Sequence, residues 1–506
     1  MNSRNTNVTA FLLEGKEPTR VALRLLGRDY SYGDLQYSAG RVAGYLLQRQ
    51  AQKGDRILLV ADNSFFWVAA YLGTLQAGMV CVALPTGIHQ RELDYILRIT
   101  EPRIAFVQAG FAVSKEEHFR GVHVVTDREV PSLPGVASQT LLTELCSDTG
   151  EDSALPQVCS DEVAALMFTS GSTQEPRGVV VSHANIMANA ESIIQYLGLT
   201  PADRIMTVLP FHYCFGTSLL HTHLRVGGSL VIDLRFMYPE AILERMLETE
   251  CTGFAGVPSH FQMLLCNSSL QKKHFPHLRY VQQAGGRLAP NLVRKLKESL
   301  PNTKIFVMYG QTEATARLSY LPPELLEKKL GSIGKAIPGV NLLVLNEAGQ
   351  EVRPGEVGEI VAEGANVTHG YWRAPEESAT TFRNGKLYTG DLATVDEEGF
   401  LYIVGRAKDF LKCGGKRVSC RALEDRLLES EEVLEAAVIG VPDDVLGEAV
   451  KAFVVPRNGN SAGLDQRLQD LCLKSMPHEL VPREIIVLDV LPKNAAGKVL
   501  KRNLRS

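Results

Sequence analysis

No Cys-x-x-Cys pair occurs among the nine cysteines, which stand alone at Cys81, Cys146, Cys159, Cys214, Cys251, Cys266, Cys413, Cys420 and Cys472. An odd number of scattered thiols argues against a disulfide framework and for a reducing compartment, so cytoplasmic residence is expected. Charge of one sign is missing too: 53 basic residues face 57 acidic ones, the formal net charge is -4, and no basic block interrupts the balance. A protein that neutralises a run of phosphates carries a visible cationic stripe, so nucleic acid is not expected as a partner. Long apolar runs are also lacking. The most membrane-like window, Trp67 to Pro85, is broken by Gly73, Thr74, Gln76 and Gly78, which fits a core helix running into a buried strand rather than a membrane span. At the start of the chain Met1-Asn2-Ser3-Arg4-Asn5-Thr6-Asn7 are followed by only a short apolar patch, Phe11-Leu12-Leu13, too few for the apolar stretch of an export signal.

What is present is the composition of a globular enzyme, 45% hydrophobic and 22% charged over 506 residues, too long for one compact core. Amphipathic helical stretches alternate with short buried runs such as Arg56-Ile57-Leu58-Leu59-Val60, Met79-Val80-Cys81-Val82 and Ser229-Leu230-Val231-Ile232. That alternation predicts an α/β fold with stacked, largely buried sheets. From about Gly339 the texture shifts to short strands broken by turns such as Asn346-Glu347-Ala348-Gly349 and Asp396-Glu397-Glu398-Gly399. Residues 339–405 are therefore read as a β-rich unit closing a large N-terminal domain, 1–405. The remainder, 410–506, has a helix expected from Arg421 to Ser430 and strands at Ala436-Ala437-Val438-Ile439 and Ala452-Phe453-Val454-Val455, enough for a small α+β domain. His221 and His223 are expected to cap or pack, since nothing completes a metal-ligand set around them.

The most informative segment begins as a buried strand, Ala164-Ala165-Leu166-Met167-Phe168. It runs through Thr169-Ser170-Gly171-Ser172-Thr173-Gln174-Glu175-Pro176-Arg177-Gly178 and returns as Val179-Val180-Val181. Glycine frees backbone amides, the hydroxyls of Thr169, Ser170, Ser172 and Thr173 donate, and Arg177 adds a cation: a set that can wrap phosphate oxygens. No Gly-Lys-Ser/Thr follows, and a strand rather than a helix comes next, which rules out a Walker-type loop. The segment resembles the signature loop of the adenylate-forming superfamily, which includes acyl-CoA synthetases, firefly-type luciferases and peptide-synthetase adenylation domains. Further motifs follow in that superfamily's order from Tyr30 to Lys498. The resemblance implies an enzyme that joins a carboxylic acid to AMP using ATP and Mg²⁺, releases pyrophosphate, and hands the acyl group to the thiol of CoA or of a phosphopantetheine arm.

The resemblance also assigns roles. Tyr309-Gly310-Gln311-Thr312-Glu313 follows the strand-like Lys304-Ile305-Phe306-Val307-Met308, at the carboxyl end of which α/β enzymes place ligands. Tyr309 is expected against adenine, Gly310 and Gln311 beside the nucleotide, Thr312 on the α-phosphate, and Glu313, with Thr173, on Mg²⁺. Ala284-Gly285-Gly286-Arg287 is expected to pass backbone close to adenine and the acyl chain. Tyr388-Thr389-Gly390-Asp391 is expected to end a strand, with Asp391 and Arg406 binding ribose. Lys498, in Pro492-Lys493-Asn494-Ala495-Ala496-Gly497-Lys498, is expected between the carboxylate and the α-phosphate, where charge must be neutralised as two anions meet. A hinge at 406–409, pivoting at Lys408, is implied. After rotation, Cys413-Gly414-Gly415-Lys416-Arg417 would offer Gly414, Gly415 and Lys416 to the thiol substrate.

The acyl pocket is expected along Leu209 to Thr217, with His212 as a gate beside Tyr213, Cys214, Phe215 and Thr217, and along Gly256 and Val257. No aspartate stands there to hold an α-ammonium group, and a buried unpaired ammonium would be costly. A fatty, hydroxy-fatty or aryl acid is thus favoured over an amino acid. Two residues depart from the superfamily's loop, Gln174 for glycine and Arg177 for lysine, with slowed adenylation as the implied consequence. Free CoA is favoured as acceptor because no extra hairpin is inserted between Gly334 and Lys408. An acyl carrier protein and, in a third reading, a non-catalytic nucleotide-binding homologue are the alternatives.

Overall fold

A computed structural model describes residues 7–147, 154–169, 175–406, 410–413, 416–443, 447–457, 462–477, 480–493 and 499–504. Two sheets make up its bulk. In the seven-stranded sheet, Ser138–Leu141, His123–Thr126, Ile104–Val107, Arg56–Val60, Val80–Leu84 and Val163–Thr169 lie side by side and parallel, and Arg177–Ser182 returns antiparallel at the edge. Every residue of Val80–Leu84 is buried, as expected of a parallel strand covered on both faces. The nine-stranded sheet carries the parallel run Lys304–Tyr309, Tyr280–Gln283, Gly253–Gly256, Arg204–Thr207 and Ser229–Ile232 at its centre.

One hydrophobic core joins the two sheets. Ile57, Leu59 and Cys81 from the first meet Ile205, Leu230 and Ala255 from the second, through helices that include Phe65–Gln76 and Cys214–Val226. Phe65–Gln76 followed by Val80–Leu84 is the helix-into-strand reading of the apolar window. Helix starts are written locally. Ser31 Oγ accepts from Asp34 N at 3.1 Å while Asp34 Oδ2 accepts from Ser31 N at 2.7 Å, and Ser182 and Asn185 repeat that reciprocal cap before His183–Leu197. Among the described residues no helix is long and apolar enough to cross a membrane.

Two smaller five-stranded sheets follow. One comprises Val340–Leu345, Gly358–Gly364, Phe382–Arg383, Lys386–Val395 and Leu401–Arg406. The other, in the small C-terminal α+β part, comprises Phe410–Cys413, Lys416–Ser419, Val433–Asp443, Gly447–Pro456 and Glu484–Val487. The helix expected over Arg421 to Ser430 is Cys420–Leu427. It ends early because Glu429 N and Ser430 N bond back only three residues, to Arg426 O and Leu427 O, a tightened last turn that releases the chain into the next strand. Asp391 does not end a strand: it sits inside Lys386–Val395, paired in register with Arg406. A register shift between Leu392 and Ala393 lets the strand continue past it.

Candidate active site

The motif residues gather because adjacent parallel strands of the large sheet end together. Lys304–Tyr309 delivers Tyr309 to Glu313, Tyr280–Gln283 delivers Gly285 to Arg287, Gly253–Gly256 delivers Gly256 and Val257, and Arg204–Thr207 leads towards His212. Such carboxyl ends form the crevice where open α/β sheets hold ligands. Backbone closeness there demands glycine. A Cβ on Gly310 would lie 2.0 Å from Ala316 O, and one on Gly285, whose φ is +81°, would lie 2.8 Å from Val257 Cγ1. Gln283 Nε2 donates to Gly286 O at 2.7 Å, fixing the turn between them.

Tyr309, Asp391 and Arg406 form one cluster. The Tyr309 hydroxyl donates to Asp391 Oδ2 at 2.7 Å, and Arg406 Nε donates to Asp391 Oδ1 at 2.9 Å. The carboxylate is nearly sealed, with 7% of its side chain exposed against 48% for Arg406. Burial, and next the Asp391 charge, pushes the Tyr309 phenol far up, so it stays a neutral donor. The same charge holds Arg406 above the usual arginine value. Each Asp391 oxygen keeps a second lone pair, so the group can still accept from a vicinal diol.

A second cluster surrounds Glu313. Tyr371 donates its hydroxyl to Glu313 Oε1 at 2.8 Å, and the Arg177 guanidinium lies 5.3 Å from the centroid of the Tyr371 ring. The strand that starts at Arg177 is tied to this place by Val180 N to Gly370 O at 3.0 Å and Trp372 N to Gly178 O at 2.7 Å. Beside Glu313, Thr312 Oγ1 lies 3.4 Å from Cys214 Sγ, a thiol whose pKa burial pushes up. Among the described residues Arg177 Nε and Gln311 Nε2 are buried donors that meet no hydrogen-bond partner. Unmet donors at a crevice of this kind fit an anionic, acceptor-rich ligand. Among the described residues no group of three or more His, Cys, Asp or Glu side chains could hold a metal by itself. One carboxylate, Glu313, suits a hard cation that takes its other ligands from phosphate oxygens and water.

A cavity of about 420 Å³ unites the first cluster with the C-terminal part. Gly285, Gly286, Tyr309, Asp391 and Arg406 line one side, and Arg421, Lys493, Val499 and Lys501 the other. Arg287 pairs with Asp425 across it. Burial, reinforced by the Arg287 charge, lowers Arg421 to about 10. Lys493 pairs with Glu435 at 2.6 Å, and Lys493 and Val499, both at this cavity, form an antiparallel bridge. Lys498 itself lies outside the described residues, as do Ser170, Gly171, Ser172, Thr173, Gln174, Lys408, Gly414 and Gly415. The backbone of Lys416 heads the strand Lys416–Ser419, opposite Cys413. Thr169 ends its strand opposite Arg177.

On the expected acyl side, burial lowers His212 to about 4, so the ring is neutral near pH 7. Its buried Nε2 meets no partner among the described residues, and its ring centroid lies 4.3 Å from that of Tyr213. Thr217 engages its hydroxyl with the carbonyls of Phe211 and Tyr213, so it pins the turn that presents His212. His221 and His223 pack as expected, against the hydroxyls of Tyr71 and Tyr280 at 2.9 and 2.8 Å.

Comparison with known proteins decides the family. The model for AMP-binding enzymes matches residues 14–372, and the model for the AMP-binding enzyme C-terminal domain matches residues 422–498. The chain belongs to the AMP-binding enzyme family. It is 29% identical to the mitochondrial medium-chain acyl-CoA ligase ACSF2 of Rattus norvegicus, over 96% of this chain and 85% of the relative. It is also 29% identical to the indoleacetate–CoA ligase of Aromatoleum aromaticum, over 97% and 96%. The structure of o-succinylbenzoate coenzyme A synthetase from Bacillus subtilis in complex with ATP and magnesium ion superposes with a TM-score of 0.86 at 27% identity, covering 99% of each chain. This AMP-binding enzyme is an AMP-forming acid–thiol ligase close to the acyl-CoA synthetases. Three of its residues lie outside the motifs read from the sequence: Tyr371 on Glu313, Arg421 at the cavity, and Arg317. For Arg317 a sequence clue existed, a lone cation in the otherwise uncharged run Ala314-Thr315-Ala316-Arg317-Leu318-Ser319-Tyr320-Leu321.

Proposed function

We propose that this enzyme converts a carboxylic acid to its acyl-AMP with Mg²⁺ and ATP and then transfers the acyl group to CoA, its acids being fatty, hydroxy-fatty or aryl. The observation that carries the reading is the single cavity shared by the Tyr309–Asp391–Arg406 cluster and both flanks of the Lys498 segment. In the first step a carboxylate oxygen attacks the α-phosphorus and the bond to pyrophosphate breaks. Lys498 lowers the repulsion between the two anions, and Thr312 and Arg177 donate to phosphate oxygens. Glu313 would hold Mg²⁺, which when bound would supply positive charge against the phosphate oxygens. Asp391 and Arg406 hold the ribose, and Gly285, Gly286 and Arg287 frame the base with Tyr309. In the second step the thiol sulfur attacks the acyl carbon and AMP departs, keeping the oxygen that came from the acid.

That sequence of steps needs two faces of the C-terminal part, so we take 1–405 and 410–506 as domains with a hinge at 406–409 that pivots at Lys408. Gly414, Gly415 and Lys416 then meet the pantetheine arm, and His212 gates the tunnel beside Tyr213, Cys214 and Phe215, across from Gly256 and Val257. Ser170, Gly171, Ser172 and Thr173 are assigned to the ATP phosphates, with Gln174 slowing ATP capture. A cytoplasmic setting is supported by nine free thiols. The test is pyrophosphate release across straight-chain, hydroxylated and aryl acids, first without thiol, then with CoA or with a phosphopantetheinylated carrier protein. Acid-dependent pyrophosphate and a CoA thioester support the reading. A thioester only on the carrier protein would replace CoA by that partner, and the absence of pyrophosphate in every condition would leave a non-catalytic nucleotide-binding homologue.

A further inference from the structure

Among the described residues the buried charges are Asp203, Asp233, Arg317 and Asp391, and all but Arg317 have an ionic partner. Asp203 is met by Arg279, Asp233 by Arg235 and Asp391 by Arg406. Arg317 is 1% exposed and no carboxylate among the described residues pairs with it. Its guanidinium carbon lies 4.0 Å from the centroid of the Phe215 ring, which covers one face but satisfies no N–H. Among the described residues Nη1 reaches only the carbonyl of its chain neighbour Ala316, at 3.4 Å, and Nε and Nη2 have no partner in hydrogen-bonding geometry, the neutral Tyr196 hydroxyl being the polar side chain nearest to the group. The titratable neighbours that act on it are the Tyr196 phenol and the Cys214 thiol, both uncharged at neutral pH, and the Tyr196 hydroxyl also contacts Met308 Sδ at 3.1 Å. Burying a guanidinium without an acid is costly, and arginine cannot escape the cost by losing its proton.

The backbone holds the side chain in this place. Thr315 and Ala316, neither of them glycine, have φ of 55° and 114°, a strained pair of the kind that persists at ligand sites only when its surroundings enforce it. Here Thr315 Oγ1 donates to Asn366 O at 2.8 Å, and Arg317 O accepts from Asn366 Nδ2 at 2.8 Å and Asn189 Nδ2 at 3.2 Å. The strained turn joins the Thr312–Glu313 site to Arg317. Phe215, beneath the guanidinium, follows Cys214, whose sulfur touches Thr312. The guanidinium therefore packs on Phe215, in the segment where the acyl group is read to lie, next in the chain to the cysteine that touches Thr312.

We propose that Arg317 is a specificity-determining residue that pairs with a second carboxylate on the substrate, so that the preferred acid is dicarboxylic: one carboxyl is adenylated and the other is held by Nε and Nη2. This rests on the acyl-adenylate reading and narrows its fatty or aryl acid to one carrying a distal acid group. Two parallel N–H donors that meet no charged partner among the described residues match the two oxygens of a carboxylate, and a monocarboxylate would leave the guanidinium without an anion.

The test is ATP–pyrophosphate exchange with dicarboxylic acids from succinate to sebacate and phthalate-type aryl diacids, each beside its monocarboxylic counterpart. The wild type is expected to favour at least one diacid by about 100-fold or more in kcat/KM, and R317M to bring that ratio to within about threefold of one. A wild-type ratio at or below one for every pair, or a ratio unchanged in R317M, overturns the proposal. Binding of N-acylsulfamoyl adenosines ending in carboxylate or methyl gives a readout without turnover: the carboxylate form is expected to bind more tightly to the wild type and not to R317M, and equal affinities for the wild type count against the proposal even if R317M folds poorly. Exchange with monocarboxylates alone rejects the dicarboxylate and leaves the acyl-adenylate reading standing. Exchange with no acid, and binding of neither analogue, removes both.

Discussion

Lys498 and Asp391 separate two kinds of electrostatic work. Lys498 is assigned to charge that exists only while the acid meets the α-phosphorus, so Lys498→Ala is expected to slow adenylation by about 10²- to 10³-fold with unchanged thermal stability. Pyrophosphate exchange and a melting curve check both parts. Asp391 is bound in the resting protein by Tyr309 and Arg406, so Asp391→Asn should raise the KM for ATP and also destabilise the fold. The cost is expected at about 1–3 kcal/mol, less than for a fully sealed pair, because Arg406 is half exposed and water screens it. Chemical denaturation beside ATP saturation curves reads the two effects. Tyr309, Asp391, Arg406 and Glu313 were legible in the sequence because each sits in a short motif. Tyr371 was not, because its partner Glu313 is distant in the chain and the meeting depends on how the 370–372 segment ties back to the strand beginning at Arg177.

At the scale of elements, the alternation of buried runs and amphipathic helices sufficed for the strands Arg56–Val60, Val80–Leu84 and Ser229–Ile232, since burial on both faces leaves a continuous apolar run. It did not suffice for the strand Lys386–Val395, where a bulge and a charged residue on the cavity side disguise the middle of a strand as its end. Nor could local pattern show that Thr315 and Ala316 take left-handed backbone, which the Asn366 hydrogen bonds impose from elsewhere. The turn at Gly310 gives the element-scale prediction. Gly310→Ala places a methyl 2.0 Å from Ala316 O, and the loop from Tyr309 to Arg317 must move. A loss of about 1–3 kcal/mol in urea unfolding is expected, with pyrophosphate exchange reduced at least about tenfold by misplacement of Thr312 and Glu313.

The whole molecule carries a pH signature from its cores. Burial is the largest cause lowering His183, His212, His223 and His260 to about 4 and His221 to about 3, from an ordinary 6.5. Their folded-state pKa values are depressed, so below pH 6.5 the unfolded chain binds protons that the folded chain refuses. Stability is thus fully present above that pH and falls as pH drops towards 4, by up to about 1.4 kcal/mol per pH unit for each histidine. Urea midpoints are expected to be flat from about pH 8 to 7 and to decline steeply below 6.5; a midpoint constant down to about pH 5 would contradict the buried neutral state.

At the same scale, fixing φ with Lys408→Pro is expected to spare pyrophosphate exchange while cutting CoA thioester formation at least about tenfold. Equal losses in both half-reactions would argue against a hinge at that residue. The most direct measurement follows an oxygen atom. With a substrate acid labelled in its carboxylate with ¹⁸O, turnover in the presence of CoA should yield AMP carrying one labelled oxygen on its phosphate, because the acid's oxygen attacks the α-phosphorus and leaves with it. AMP without label, or ADP and phosphate in its place, would show that no acyl-adenylate forms.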